Sequence, residues 1–185
     1  MSSKVTQLTI YDRCMQGDRL AQVALYDTYA GAMYNVALRI VKDTAEAEDI
    51  MQESMITALD KLATWNQTAT YGAWLKRIVI NNSITALRKK GRLDTRSYDA
   101  HEMYLITVED AHDGVDLEEE HMTIKRVLAA MDTLNDRYKN ILNLNLIEGL
   151  DHEEISELLG ITNGMCRTTI SRAKEQLRLK LTIDT

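Results

Sequence analysis

The sequence predicts an all-α protein. Apolar residues recur every three or four positions through most of its 185 residues, which is the period of an amphipathic helix. No segment shows the sustained alternation of apolar and polar residues that marks a half-buried strand. Helix-capping residues stand where several of the periodic segments begin. We therefore expect a series of helices and no sheet.

The first predicted helix runs from Asp18 to about Val41. Its apolar residues fall on one stripe, which predicts the side that is buried. The stripe consists of Ala21, Leu25, Tyr29, Ala32, Val36 and Ile40. A second helix is predicted to begin at a capping box formed by Asp43 and Glu46. Its apolar side points inward, so its outer face is predicted to be acidic; that face holds Glu46, Asp49 and Glu53.

A polar loop from Asn66 to Thr70 precedes the third predicted helix, which runs from Tyr71 to about Lys90. Four polar or basic residues line one side of this helix because they are spaced by whole helical turns. They are Arg77, Asn81, Thr85 and Arg88. Such a stripe is suited to follow a phosphate backbone.

Residues 93–116 break the helical period and are rich in Asp and Glu, so they are predicted to be an acidic linker. The chain then divides into an amino-terminal domain, 1–92, and a carboxy-terminal domain, 117–185. The second domain is predicted to open with a helix from Leu117 to Met131, which buries Ile124, Val127, Leu128 and Met131. A further helix is expected from about Asp136 to Ile147.

The last third of the chain carries the signature of a helix-turn-helix. Asp151 and Glu154 form a capping box, Gly160 is suited to end the helix in a left-handed conformation, and Thr162 caps the next helix. The second helix is predicted to present Arg167, Thr168, Ser171 and Arg172 on one side and Cys166, Ile170, Ala173 and Leu177 on the other. A cationic, hydroxyl-bearing face of this kind fits the major groove of DNA.

The distribution of charge also favours a nucleic-acid partner, although the formal net charge is −6. Between Leu75 and Arg92 there are six Lys and Arg residues and no carboxylate. Between Gly164 and Leu181 there are five basic residues and one acid. These two basic segments lie in an otherwise strongly acidic chain, and basic side chains are what binds phosphate.

Other classes of function have little support in the sequence. His152-Glu153 resembles the start of a zinc-protease motif, but Ser156 stands where the second histidine would be needed. No phosphate-binding glycine loop and no paired nucleophile and base are present, so we expect neither an enzyme nor a metal, cofactor or small-molecule substrate. Two distant cysteines and the absence of an apolar leader predict a cytoplasmic protein.

Three segments, taken in their order along the chain, resemble the extracytoplasmic-function group of bacterial sigma factors. The first runs from Leu38-Arg39-Ile40-Val41 through 47–55, Ala-Glu-Asp-Ile-Met-Gln-Glu-Ser-Met. The second is 71–81, Tyr-Gly-Ala-Trp-Leu-Lys-Arg-Ile-Val-Ile-Asn, and the third is Gly149 to Lys174. One departure is Leu134-Asn135, where the family usually has Leu-Pro; asparagine can still cap the helix that follows.

The resemblance implies a transcription initiation factor. The amino-terminal domain would bind core RNA polymerase at the clamp helices of the β′ subunit through Glu46, Asp49, Gln52 and Glu53. The loop before the third helix would capture a base flipped out of the minus-ten element, and that helix would hold the opening duplex. The residues implied for minus-ten DNA are Trp65, Asn66, Gln67, Thr68, Thr70, Tyr71, Arg77, Asn81, Arg88, Lys89 and Lys90.

The carboxy-terminal domain would recognise the minus-thirty-five element. By the resemblance, Arg167, Thr168, Ser171 and Arg172 would face bases, and Lys174 and Arg178 would lie nearer phosphates. The implied partners are core RNA polymerase, through β′ and the β flap, promoter DNA, and an anti-sigma factor that is in some cases anchored to a membrane.

Two alternatives remain open from the sequence. A stand-alone helix-turn-helix regulator would bind duplex DNA unaided, whereas a sigma factor of this group would bind free promoter DNA weakly and core polymerase tightly. An adaptor without a role on DNA would tolerate the loss of Arg167 and Arg172.

Overall fold

The computed structural model describes residues 10–91 and 117–183. The chain forms two compact units, Met1–Arg92 and Leu93–Thr185. All the regular secondary structure within the described residues is helical, which confirms the predicted all-α fold. The acidic linker predicted at 93–116 lies outside the described residues.

The first unit is built from three long helices, α1 (Arg19–Val41), α2 (Thr44–Asp60) and α3 (Tyr71–Lys89). A helical turn at residues 10–15 precedes α1, and a short 3₁₀ turn, Leu62–Thr64, follows α2. Each long helix packs on the other two. The largest fully buried side chains of this unit are Leu25, Tyr71, Leu75, Val79, Ile80 and Ile84.

The beginnings of α1 and α2 are set by the residues that the sequence indicated. The carboxylate of Asp18 accepts hydrogen bonds from the backbone N–H groups of Leu20 and Ala21, at 2.9 and 3.3 Å. The carboxylate of Asp43 accepts from the N–H of Glu46 at 2.9 Å. These bonds satisfy donors that have no partner within the first turn of a helix.

The prediction that Ala32 is buried on the apolar stripe of α1 is wrong. Ala32 is exposed, and the buried positions in that part of the helix are Met33, Val36 and Ala37. A 23-residue helix with 3.6 residues per turn shifts its inward face gradually along the chain. A single straight stripe therefore includes Ala32, whereas the residue that is buried at this level of the helix is its neighbour Met33.

The second unit contains α4 (Leu117–Asp132), α5 (Asp136–Leu142), α6 (His152–Leu159) and α7 (Asn163–Ile183). The helix that begins with α5 continues through a π-helical segment, Asn143–Ile147. The side chain of Asn135 accepts a hydrogen bond from the N–H of Tyr138 at 2.9 Å, so asparagine caps α5 as expected. The core of this unit includes Ile141, Leu142, Leu144, Ile155 and Leu159, together with the inner side of α7.

Two predicted core residues of α4 are exposed instead. Ile124 is 49% exposed and Leu128 is 41% exposed. Burial is found at Ala130, Met131 and Leu134, at and just after the carboxyl end of the helix. Of the four predicted residues only Met131 is buried, and Val127 is half-buried. The helical period does not tell which part of the helix its neighbours cover.

Two glycines give a matched test of packing around α3. Gly31 in α1 has open space where a Cβ would stand, whereas a Cβ on Gly72 in α3 would lie 2.9 Å from Cε1 of Tyr29. We expect Gly31→Ala to raise the free energy of unfolding by about 0.5–1 kcal/mol, because alanine favours the helix. Gly72→Ala should lower it, because the Tyr29 ring must move. Urea unfolding followed by circular dichroism measures both, and equal stabilisation would contradict the tight contact.

Candidate nucleic-acid interface

The turn between α6 and α7 has the geometry of a helix-turn-helix. The carboxylate of Asp151 accepts from the N–H groups of Glu153 and Glu154 at 2.8 and 2.9 Å, and the Glu154 carboxylate accepts from the N–H of Asp151 at 3.0 Å. Gly160 ends α6 at φ +68°. The hydroxyl of Thr162 accepts from the N–H of Met165 at 3.2 Å, at the start of α7. All the local signals predicted for this motif are confirmed.

The rotation of α7 about its axis is fixed by the residues that it buries. Cys166, Ile170, Ala173 and Leu177 are buried, which confirms the predicted inner side. Arg167 and Thr168 are exposed, and Ser171 and Arg172 are half-buried on the same outer side. Two further basic residues lie on the outer side of α7: Lys174, which is half-buried, and Arg178, which is exposed. The structure therefore brings the predicted base-facing residues onto one face.

A side-chain contact that sequence reasoning missed ties α7 to α5. Nη2 of Arg137 donates a hydrogen bond to the hydroxyl of Thr169 at 3.1 Å. Thr169 is 2% exposed and lies on the inner side of α7, although in the sequence it stands between Thr168 and Ser171, which face outward. The bond therefore helps to hold α7 at the position where its outer face is presented. No local pattern pairs these two residues, because they are far apart along the chain.

In the first unit, residues 65–70 form a loop that is closed by its own hydrogen bonds; we call it the 65–70 loop. The indole Nε1 of Trp65 donates to the carbonyl of Ala69 at 3.0 Å. The side-chain oxygen of Asn66 accepts from the N–H and the hydroxyl of Thr68, at 3.1 and 2.8 Å. Gln67 has a left-handed backbone, φ +61°, and residues 66–70 are all exposed. Donors and acceptors are thus displayed on a defined backbone.

The hydroxyl of Thr70 joins the 65–70 loop to α3 by accepting from the N–H of Ala73 at 3.3 Å. Along α3, the four residues of the predicted stripe are all exposed: Arg77, Asn81, Thr85 and Arg88. Lys89 and Lys90 follow at its end and are exposed as well. The predicted stripe therefore begins about two helical turns after the 65–70 loop and ends in a cluster of basic side chains.

Comparison with known proteins identifies the family. Residues 25–93 match the family described as Sigma-70 region 2, and residues 124–177 match Sigma-70, region 4. The chain is 32% identical over 149 residues to the RNA polymerase sigma factor SigV of Bacillus subtilis, covering 80% of this chain and 84% of SigV. It is 30% identical over 174 residues to the ECF RNA polymerase sigma factor SigW of the same organism, covering 90% of this chain and 91% of SigW. The chain belongs to the extracytoplasmic-function sigma factors.

A solved structure supports the same fold. The sigma factor RpoE from Bartonella quintana, in complex with the anti-sigma factor NepR, aligns with a TM-score of 0.52 at 21% identity, over 88% of this chain and 97% of RpoE. The function that goes with this family is promoter recognition in the initiation of transcription. The stand-alone regulator, which the sequence left open, is not favoured.

The acidic face of this sigma factor's α2 differs from the prediction at one residue. Asp49, Gln52 and Glu53 are exposed, as expected. Glu46 is 9% exposed, and its Oε2 lies 2.9 Å from Nζ of Lys90. The expectation that Glu46 lies on the outer face is wrong, because its place in the first turn of α2 turns it toward the end of α3. Lys90 is thereby held at the edge of the basic cluster.

Tyr71, which the resemblance implied for contact with minus-ten DNA, is buried. It is 1% exposed and contacts the rings of Tyr11, Tyr29, Trp65 and Trp74, with centroid distances between 5.0 and 5.6 Å. Its ring is part of the core and presents no face to a base in this structure. Its hydroxyl finds no hydrogen-bond partner among the described residues, and burial raises its pKa above the ordinary range. Trp65 and Trp74 are half-buried.

The described residues contain no cluster of His, Cys, Asp or Glu arranged to hold a metal ion. Among the same residues, none of the helices combines the length and the apolar character needed to cross a membrane.

The Glu46–Lys90 pair predicts different roles for two acids of α2. We expect Glu46→Gln to lower the free energy of unfolding by about 1–2 kcal/mol, because it removes a mostly buried charge that faces a cation. Glu53→Gln, on the exposed face, should change it by less than about 0.5 kcal/mol. Urea unfolding of both variants measures the difference, and equal stabilities would show that the ion pair contributes nothing.

The burial of the Cys166 thiol on the inner side of α7 predicts that the protein loses stability at alkaline pH. Burial, followed by the nearby Asp151, raises the pKa of the Cys166 thiol from 9.0 to about 11. The unfolded chain therefore loses this proton at lower pH than the folded chain. The contribution of this thiol to stability should be constant below pH 9, be lost as the pH rises from 9 to about 11, and change no further above that. Cys166→Ala should make the fall shallower in unfolding measured across this range; an unchanged slope would exclude the thiol as its source.

Proposed function

We propose that this sigma factor binds promoter DNA through two separate surfaces, one in each unit, and binds core RNA polymerase through the acidic face of α2. The observation that carries the proposal is the separation of charge. Basic residues gather on the outer sides of α3 and α7, whereas the exposed side of α2 is acidic. Each surface thus suits a partner of opposite charge.

In the carboxy-terminal domain, 117–185, α7 is proposed to enter the major groove at the minus-thirty-five element. A guanidinium group can make a bidentate contact with guanine, so Arg167 and Arg172 are proposed to read bases; each good contact of this kind provides about 1–3 kcal/mol of discrimination. Thr168 and Ser171 add hydroxyls on the same face. Lys174 and Arg178, farther along the helix, are suited to phosphates, which position the helix without specifying sequence.

In the amino-terminal domain, 1–92, the 65–70 loop is proposed to capture a base of the minus-ten element. Its exposed amides and hydroxyls, on Asn66, Gln67, Thr68 and Thr70, match the donors and acceptors of a flipped base. The stripe on α3 then holds the backbone of the opening duplex through Arg77, Asn81 and Arg88, with Lys89. Lys90 adds charge at the edge while it remains paired with Glu46.

The exposed α2 residues Asp49, Gln52 and Glu53 are proposed to dock on the clamp helices of the polymerase β′ subunit, with the β flap as the second contact of core enzyme. Glu46 supports this face from behind and does not contact polymerase. We further propose that an anti-sigma factor controls the chain, as the complex of RpoE with NepR suggests, and that the chain acts in the cytoplasm and has no enzymatic activity of its own.

The division of labour is tested by two substitutions. Arg167→Ala should reduce transcription from a promoter with an intact minus-thirty-five element by about tenfold, the equivalent of one lost base contact, and leave core binding unchanged. Glu53→Lys should weaken core binding first, because it places a cation against a basic partner. Run-off transcription and binding of labelled core enzyme measure the two effects.

Each substitution has a matched control. Lys180→Ala removes a basic residue from the same helix on another side, and Asp27→Lys makes the same charge change on the exposed side of α1. A gel shift of promoter DNA with and without core enzyme is run beside them. Equal loss of core binding in Arg167→Ala and Glu53→Lys would refute the division, and tight binding to promoter DNA without core enzyme would support a stand-alone regulator.

A further inference from the structure

The 65–70 loop takes its shape from one ring. The bond from Trp65 Nε1 to the Ala69 carbonyl, 3.0 Å long, spans nearly the whole loop. The position of the indole therefore restrains the carbonyl of Ala69 and, with it, the course of the loop between them, where Asn66, Gln67 and Thr68 are exposed. A residue that holds the indole ring therefore helps, together with the hydrogen bonds within the loop, to hold the surface that the loop presents.

The indole is held between two buried tyrosines. The ring of Tyr11 meets it edge-on with centroids 4.8 Å apart and planes at 77°, and the ring of Tyr71 meets it at 5.6 Å and 76°. The two tyrosines also contact each other, at 5.0 Å. Tyr11 is 3% exposed. Edge-to-face geometry is favourable for aromatic rings and depends on orientation, so this arrangement restrains rotation of the indole.

Tyr11 comes from the helical turn at residues 10–15, which precedes the segment 25–93 that matches Sigma-70 region 2. It is buried, so it has no access to DNA. We infer that Tyr11 is a positioning residue for minus-ten recognition, acting through the ring of Trp65 on the 65–70 loop. The inference rests on the proposed function of that loop. Its reason is geometric: recognition sites need their groups held within about 0.5 Å, and supporting side chains provide that precision.

The experiment uses holoenzyme assembled from the full chain and core RNA polymerase. The probe is a single-stranded oligonucleotide that carries the non-template minus-ten sequence chosen from a promoter library, together with versions mismatched at each position. For the unaltered chain we expect a mismatch at the captured base to weaken binding by about tenfold. Tyr11→Leu should reduce that ratio to about twofold or less, while core binding and binding to a minus-thirty-five duplex stay unchanged.

Tyr11→Phe provides the rescue. It keeps the ring that meets Trp65 and loses only the hydroxyl, so it should retain the full base preference. Tyr26→Leu is the matched control, because Tyr26 lies on α1 and is partly exposed, and it should also retain the preference. Retained preference in Tyr11→Leu, or a loss of affinity that is uniform across matched and mismatched probes, would overturn the inference.

If Tyr11→Leu does not fold, a second variant tests whether the aromatic cluster positions the 65–70 loop. Gly72→Ala removes no ring but displaces that of Tyr29, which lies 5.2 Å from the ring of Tyr71 in the same cluster. It should lower the mismatch ratio in the same selective way, and an unchanged ratio in this variant would overturn the inference. If the unaltered holoenzyme shows no base preference on these probes, the proposed function of the loop fails as well, so the two failures are distinguishable.

Discussion

The mutual burial of α1, α2 and α3 is the constraint on which the first unit depends. A helix is a rigid cylinder, so fixing its buried side also fixes its exposed side. Leu75, Val79 and Ile84 are completely buried on α3. Arg77, Asn81 and Arg88 must then face outward, and no separate interaction is needed to aim them. Apolar packing in this way determines where the charged surfaces of the protein lie.

The second unit follows the same rule with one addition. Cys166, Ile170, Ala173 and Leu177 are buried and orient α7 by packing, which is not directional. The hydrogen bond from Arg137 to the buried Thr169 supplies a directional contact on the inner side of α7, opposite the face that is presented. Hydrogen bonds from charged donors are stronger than neutral ones when they are shielded from water. The position of α7 is therefore determined by both packing and a polar contact.

The features that the sequence predicted well are those that neighbouring residues determine. The capping box of Asp151 and Glu154, the left-handed Gly160 and the apolar side of α7 all depend on residues within one or two turns. The features that it missed depend on residues distant in the chain. Glu46 is buried because the end of α3 returns to it, and Tyr71 is buried because Tyr11 covers it. Helical period gives the angle of a residue but not the neighbour that it will meet.

The acidic character of the whole chain is compatible with binding DNA because charge acts over short distances in salt. The Debye length is about 8 Å at physiological ionic strength, so exposed charges that lie farther apart than this are largely screened from one another. At longer range, before contact, the net charge of −6 opposes the approach of a polyanion. A basic partner that covers the acidic face of α2 would remove that opposition. This distribution of charge therefore predicts that the free chain binds DNA more weakly than the assembly does.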